Sequence, residues 1–299
     1  MITLDKKWSV PKFLTYKEAY IKAKNILKEN EVEDYSFDAF LIFEHCFKIS
    51  RKDFPLYYSR NLPEKLCYSF FNLIERRKNR EPLQYILGCW EFMGRKYFVG
   101  EGVLTPRDDT EVLVRKSIEF LKCIGANRKK VRILDLCSGA GIVAISLAKK
   151  FENSEVLAIE LHNKALKYLE KNIELNKVNN VKILKWDVLF QNLPENISND
   201  FDLIVSNPPY IKSDEIKNLQ EEVKKEPVSA LDGGADGLNF YRAILKNWKF
   251  FLREGGALCV EIGFDQAYDV VELFKKNGFK NIEIIRDLSN LDRVVFGTN

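Results

Sequence analysis

The chain has 299 residues, 46% hydrophobic and 30% charged, with a net charge of +4. That length suits two domains better than one, and so mild a charge permits a nucleic-acid-associated partner without arguing for one. No apolar run approaches the roughly 20 residues of a membrane helix, the cysteines are scattered reduced thiols without a C-x-x-C pair, and His45 and His162 stand too far apart for a metal cluster or triad.

In chain order, Met1 to Trp8 has no apolar h-region, so no secretory signal is expected. Thr15-Tyr16-Lys17-Glu18 has the form of a capping box, and Tyr16, Tyr20, Ala23 and Leu27 follow at helical spacing. Ser36 is the expected cap of a second helix carrying Phe37, Phe40, Leu41, Glu44 and Phe47. Pro63-Glu64 opens a third, with Leu66, Phe70, Leu73, Ile74 and Arg77 along one side. These aromatic stripes predict the core of a small helical bundle over residues 1–80, with partner docking as the other use of such a face. The next segment, 81–104, ends the helical pattern. Trp90 to Val99 alternates around a glycine turn, which predicts a β-hairpin linker.

Residues 105–299 read as the cofactor half. Thr105-Pro106-Arg107-Asp108-Asp109 leads into a helix near Thr110-Glu111, either acids suiting a helix dipole or a lid on a cofactor pocket. The Lys122 to Lys130 stretch reads as a solvated face. Val131 to Leu136 predicts a strand, Cys137-Ser138-Gly139-Ala140-Gly141 a tight loop, and Ile142 to Lys150 a helix. A dinucleotide site would use the same order. Asp135, however, would repel a pyrophosphate and attract an ammonium group, and no full G-x-G-x-x-G is present. A second strand, Val156 to Glu160, ends in an acid about 25 residues on, the usual place for a carboxylate that grips ribose hydroxyls. A third, Val181 to Lys185, leads to Trp186-Asp187, placed for the amine of an adenine. An amino-acid tail, a ribose and an adenine without phosphate describe S-adenosylmethionine.

Phe201 to Val205 then reads as a buried strand that stops at Ser206-Asn207-Pro208-Pro209-Tyr210. Neither proline can donate to the ladder, and Asn207 is pushed towards an extended backbone by the proline behind it. An amide thus sits at the carboxyl end of a strand, where open α/β sheets place ligands; the alternative is a simple proline turn. Asp232 to Gly237 is either a flexible turn or a loop at the substrate mouth, and Glu261 closes an apolar strand over Ala257 to Val260.

Several separated motifs, from about residue 76 to the C-terminus, occur together and in order. They are Pro82-Leu83-Gln84-Tyr85-Ile86-x-Gly88, Thr105-Pro106-Arg107-x-Asp109-Thr110-Glu111 and Asn207-Pro208-Pro209-Tyr210, then Glu226-Pro227-x-x-Ala230-Leu231-x-Gly233-Gly234-x-Asp236-Gly237-Leu238, Tyr241-Arg242 and Glu261-Ile262-Gly263-x-x-Gln266. The combination resembles the release-factor glutamine methyltransferases, the PrmC/HemK family. Cys137 stands where the family's loop has its first glycine, Glu160 where aspartate is commoner, Asp108 for a proline, and Ser289-Asn290 at a position that usually contains glycine. The resemblance implies a seven-stranded doubly wound, Rossmann-like class I methyltransferase sheet behind the helical bundle. It implies a cofactor site of Thr105, Arg107, Glu111, Asp135, Cys137, Ser138, Gly139, Ala140, Gly141, Glu160, Leu161, Asp187, Val188 and Asn207. Its substrate would be the glutamine of a Gly-Gly-Gln loop in peptide chain release factors, bound at Asn207, Pro208, Pro209 and Tyr210. A cytoplasmic monomer in translation termination is expected, without membrane contact or direct nucleic-acid binding.

An amide nitrogen is a poor nucleophile because its lone pair is delocalised. The Asn207 oxygen and the Pro208 carbonyl are expected to accept its two N–H groups and aim the lone pair at the methyl, with Tyr210 against the flat amide face. Asn207, Pro208 and Tyr210 are therefore the expected catalytic residues. The rival enzyme is an adenine-N6 or guanine-N2 nucleic-acid methyltransferase, which meets the same chemical problem with a similar tetrapeptide. A catalytically dead adaptor that docks release factors is the rival of another class.

Overall fold

The computed structural model describes residues 14–125, 130–190 and 197–299. Met1 to Trp8, read above for a signal, and residues 126–129 of the Lys122 to Lys130 stretch lie outside them. The chain divides into two compact units, Met1–Leu87 and Gly88–Asn299.

The first unit is helical. Helix α1 (Tyr16–Glu29) starts at a complete capping box: the Thr15 N–H donates to Glu18 Oε2 at 2.8 Å and the Glu18 N–H to Thr15 Oγ1 at 3.2 Å. Helix α2 (Tyr35–Phe47) follows Asp34, so Ser36 is not its cap. The Ser36 hydroxyl, already inside the first turn, lies 3.3 Å from the Tyr20 hydroxyl instead. The buried face of α2 is Asp38, Ala39, Phe40, Ile42 and Phe43, while Phe37 is half exposed. An aromatic residue on each side of the helix made the phase ambiguous, and packing settles it: the Phe43 ring contacts those of Tyr16, Tyr20, Phe40, Phe47, Phe54 and Phe70. In α3 (Glu64–Lys78) Arg77 is buried and donates to Asp38 Oδ2 at 2.6 Å. Removing one member of so buried a pair costs roughly 3–5 kcal/mol. The short α4 (Leu83–Leu87) closes the unit.

The second unit begins with a hairpin, β1 (Cys89–Phe92) and β2 (Arg95–Phe98), paired antiparallel. Met93 and Gly94 both take positive φ, 49° and 73°, which matches the right-handed twist of the two strands. The hairpin packs into this unit: Tyr97 is fully buried with its hydroxyl 3.1 Å from Ser146 Oγ.

A seven-stranded sheet follows, with helix α5 (Thr110–Gly125) leading into it. Its first four strands in the chain are β3 (Arg132–Leu136), β4 (Glu155–Glu160), β5 (Val181–Lys185) and β6 (Phe201–Ser206), and α6 (Ile142–Lys150) and α7 (Asn163–Leu175) lie between them. Then come β7 (Leu252–Glu261), β8 (Lys280–Arg286) and β9 (Asp292–Thr298), with α8 (Asn239–Ala243) before β7 and α9 (Ala267–Lys276) after it. The spatial order is β5-β4-β3-β6-β7-β9-β8. The pairs β3 with β4 and β6, β4 with β5, and β6 with β7 are parallel; β9 is antiparallel to both neighbours. Every residue of β6 is buried, as a strand covered on both faces must be. Residues from α5, α6 and α7 bury one face of the sheet, and residues 238–251 with α9 bury the other. The chain runs outward through β4 and β5 and returns to the other side of β3. That reversal leaves a crevice beyond the carboxyl ends of β3 and β6.

Candidate active site

A cavity of about 480 Å³ opens there, lined by residues between Gly102 and Phe240 of the second unit. Its floor is the loop after β3. Cys137, Gly139 and Gly141 all take left-handed backbone, with φ of 60°, 55° and 82°. For a cysteine this conformation costs roughly 1–2 kcal/mol, the physical reason that glycine suits the position better. The loop is held from outside: the Ser138 N–H donates to Ile159 O and the Gly139 N–H to Glu160 Oε2, both at 2.9 Å. Gly141 does not line the cavity; a Cβ there would lie 2.3 Å from Leu169 Cδ1.

Asp135, Cys137, Ser138, Gly139, Ala140, Glu160, Leu161, Asp187 and Val188 all line this cavity. Asp135 is 1% exposed and accepts from the Ala144 N–H at 3.1 Å. Burial pushes its carboxyl up to about 7 against the pull of hydrogen bonds from Ser138 and Ala144, and Glu160 adds to the rise. Glu160 accepts three backbone N–H groups, those of Gly139, Leu161 and His162. A carboxylate has about four lone-pair sites, so the longer acid both pins the loop and keeps acceptor capacity facing the cavity. At the far wall Asp187 is beside Trp186, whose Nε1 is buried without a hydrogen-bond partner among the described residues. Acid, glycine loop, acid and a wall of Trp186 and Asp187 thus fit an amino-acid tail, a ribose and an adenine.

Thr105 and Arg107 also line the cavity. Both are fastened to Glu226, 4% exposed: Thr105 Oγ1 and Arg107 Nη2 each donate to Glu226 Oε1 at 2.8 Å. Glu111 is elsewhere, in a surface ion pair with Arg115 one turn along α5.

Asn207 and Pro209 reach the cavity from the end of β6. The Asn207 Nδ2 donates to Thr110 Oγ1 at 3.2 Å, which leaves the amide oxygen as its other polar end. Pro208 is buried and does not line the cavity, and neither does Tyr210. The Tyr210 hydroxyl points behind the strand ends and donates to Glu261 Oε1 at 3.5 Å. Its carbonyl accepts from Gln266 Nε2 at 2.9 Å, and the Gly233-to-Gly237 loop packs directly on the same turn. Thr110, Glu226, Glu261 and Gln266 all sit in the motifs quoted above, yet their roles as props were not readable there. Each partner is between 51 and 121 residues away in sequence.

The family model "PrmC N-terminal domain" matches residues 18–88 and "Methyltransferase small domain" residues 116–236. A Clostridium botulinum protein named release factor glutamine methyltransferase is 38% identical over 281 residues, 93% of this chain and 97% of its own length. One of the same name from Thermodesulfovibrio yellowstonii is 40% identical over 270 residues, 88% of this chain and 94% of its own. Among solved structures, the hMettl16 catalytic domain in complex with an RNA hairpin superposes with a TM-score of 0.51 at 15% identity, over 76% of this chain and 91% of that one; it shares the fold.

Proposed function

This chain belongs to the release factor glutamine methyltransferase family, and from that premise we propose that it methylates the side-chain amide nitrogen of the glutamine in the Gly-Gly-Gln motif of peptide chain release factors. S-adenosylmethionine supplies the reaction with an electrophilic methyl group on a positively charged sulfur. The observation that carries the reading is the meeting, in one cavity, of the left-handed loop after β3 with an asparagine whose amide is turned by Thr110.

In this proposal Asp135 receives the cofactor's ammonium end, Glu160 the ribose hydroxyls, and Asp187 with Trp186 the adenine edge. Leu161 and Val188 supply apolar walls, and Thr105 and Arg107, held by Glu226, close the mouth. Asn207 Oδ1 accepts one N–H group of the substrate amide, and the backbone carbonyl of Pro208, the buried residue between the two lining residues Asn207 and Pro209, is proposed for the other, which orients a lone pair that resonance would otherwise hide. Tyr210, braced by Glu261 and Gln266, is the rigid base of that turn. The proposal is of a monomer that works in the cytoplasm, where a substrate used in translation termination would be met. Residues 1–80 are assigned to substrate docking, since this part exposes Leu56, Tyr58, Leu66 and Tyr68. The segment 81–104 carries the chain from this part to residues 105–299, its α4 closing the first unit and its hairpin packed into the second.

Incubation with tritiated cofactor, a purified release factor and total RNA tests the assignment. Label is expected in the protein, as one methyl on the loop glutamine by mass spectrometry. Label in RNA alone overturns it. A pH titration tests the role of Asp135. Its acid is neutral below about 7 and charged above, so affinity for a cationic cofactor is expected to rise between pH 6 and pH 8, by at most about tenfold per unit. Calorimetry on Asp135→Asn should show weaker binding without that slope; a flat wild-type profile excludes the ion pair.

A further inference from the structure

We propose that Glu261 is a positioning residue for the transfer: acting through the Thr110 hydroxyl, it decides which end of the Asn207 amide is presented to the substrate. The inference rests on the reading of Asn207 above. Glu261 ends β7 behind the Asn-Pro-Pro-Tyr turn and is 1% exposed. Burying a carboxyl there is costly, and the ordinary compensation is missing. Its Oε1 accepts only a long bond from Tyr210, 3.5 Å, and its Oε2 has no partner at hydrogen-bond distance among the described residues. Arg293, a cation that favours the carboxyl's charged form, is already shared between Asp287 at 3.0 Å and Asp109 at 3.3 Å.

Val260 is the register partner of Ser206, so Glu261 stands beside Asn207 at the strand ends, where Asn207 is bonded to Thr110, and the Thr110 hydroxyl favours the charged form of the carboxyl. Thr110 is itself fully buried and accepts the Asn207 N–H. A hydroxyl has one proton to give. With its lone pair engaged by Asn207, that proton needs an acceptor, and an ionised carboxylate can only accept. The order Asn207 N–H to Thr110 O–H to Glu261 therefore has one direction, and Asn207 Oδ1 is left for the substrate N–H. A neutral group at 261 can donate to Thr110. The chain of bonds then reverses, Thr110 donates to Asn207 Oδ1, and the asparagine turns its own NH₂ against the substrate NH₂. In the proposal the bond from Thr110 to Glu261 tightens when substrate binds, as catalytic hydrogen bonds often do.

The titrating groups around the carboxyl are Asp109 ahead of α5, Tyr210 after β6, Tyr241 in α8 and Arg293 in β9. Burial pushes Glu261 up to about 7, with Thr110, Arg293 and Tyr210 pulling it down and Asp109 pushing it up. It is neutral below that pH and charged above.

The experiment is single-turnover methylation of a release factor by full-length enzyme, at saturating cofactor so that titration of Asp135 drops out. The wild-type rate is expected to rise from pH 6 and level off above about 7. In Glu261→Gln the plateau should fall about 10²-fold, the loss typical of a misplaced reacting group, and the acid limb should vanish while cofactor affinity holds. Thr110→Val should lose a similar factor, Thr110→Ser should recover most of it, and the Glu261→Gln/Thr110→Val double variant should lose no more than either alone. A Glu261→Gln enzyme that titrates like the wild type, or losses that multiply, would overturn the proposal. Should Glu261→Gln not fold, the threonine pair decides: serine failing to rescue valine also overturns it. A slow Asn207→Ala beside a normal Glu261→Gln removes this inference alone, whereas a normal Asn207→Ala removes the reading beneath it.

Discussion

Asn207→Ala is expected to slow single-turnover methylation of the substrate glutamine by about 10²–10³-fold, the usual loss when one hydrogen bond made in the transition state is removed. A primary amide has two N–H groups in the plane of its carbonyl, and two acceptors in that plane fix the nitrogen without a strong base. Truncation at 207 removes one acceptor and leaves the Pro208 carbonyl. It also frees Thr110 Oγ1 from its amide donor, a net stability loss of about 1 kcal/mol that a thermal melt will register. The cofactor's proposed partners, Asp135, Glu160 and Asp187, belong to other strand ends and keep their own hydrogen bonds. The dissociation constant for the cofactor should therefore change only a few-fold, which separates loss of chemistry from loss of the site. A wild-type single-turnover rate would remove Asn207 from the chemistry.

How far the sequence led depended on the range of the interaction being read. Helix α6 runs from Ile142 to Lys150 as its apolar spacing predicts, because a glycine loop on one side and the end of the periodicity on the other are local signals. The buried strands β3 and β6 were legible for the same reason. Phase was harder. Phe37 and Leu66 belong to aromatic or apolar runs that continue around the helix, so periodicity gave them a core role that tertiary packing assigns instead to Phe43 and Cys67. Asp135, Glu160, Asp187 and Asn207 line one cavity, a placement legible in the sequence because each lies at or just after the end of a strand. Tyr210 was read as facing the substrate amide, but its direction depends on Glu261, 51 residues away, and its hydroxyl goes there. Thr110 and Glu226 were visible only as letters in motifs. Nothing local says that one turns an asparagine 97 residues on, or that the other clamps Thr105 and Arg107 from more than a hundred residues away.

The largest structural effect is expected at Gly237, where Gly237→Ala should both lower thermal stability and slow turnover. Gly237 has φ of 75°, and a Cβ would lie 2.4 Å from the Tyr210 carbonyl oxygen and 2.5 Å from Gln266 Nε2. The backbone conformation alone costs an alanine roughly 1–2 kcal/mol. The clash adds to that, because the atom in the way is main chain and cannot rotate aside. Relief requires either the Asp232-to-Gly237 loop or the Pro209-Tyr210 turn to move, and Gly233 is pressed against the same turn, its Cβ position 2.7 Å from Tyr210 Cα. A shift of about 1 Å at the turn carries Asn207 with it and is worth about 10² in rate. Gly94→Ala is the matched control. Gly94 has a φ of 73° but open space around its Cβ position, so it isolates the conformational cost, at the tip of the hairpin and away from the cavity. If the loop is a brace for the catalytic turn, Gly94→Ala loses only stability and keeps its single-turnover rate, while Gly237→Ala loses more stability and about 10² in rate. Equal melting temperatures and equal rates for the two would mean that Asp232 to Gly237 is a free turn after all.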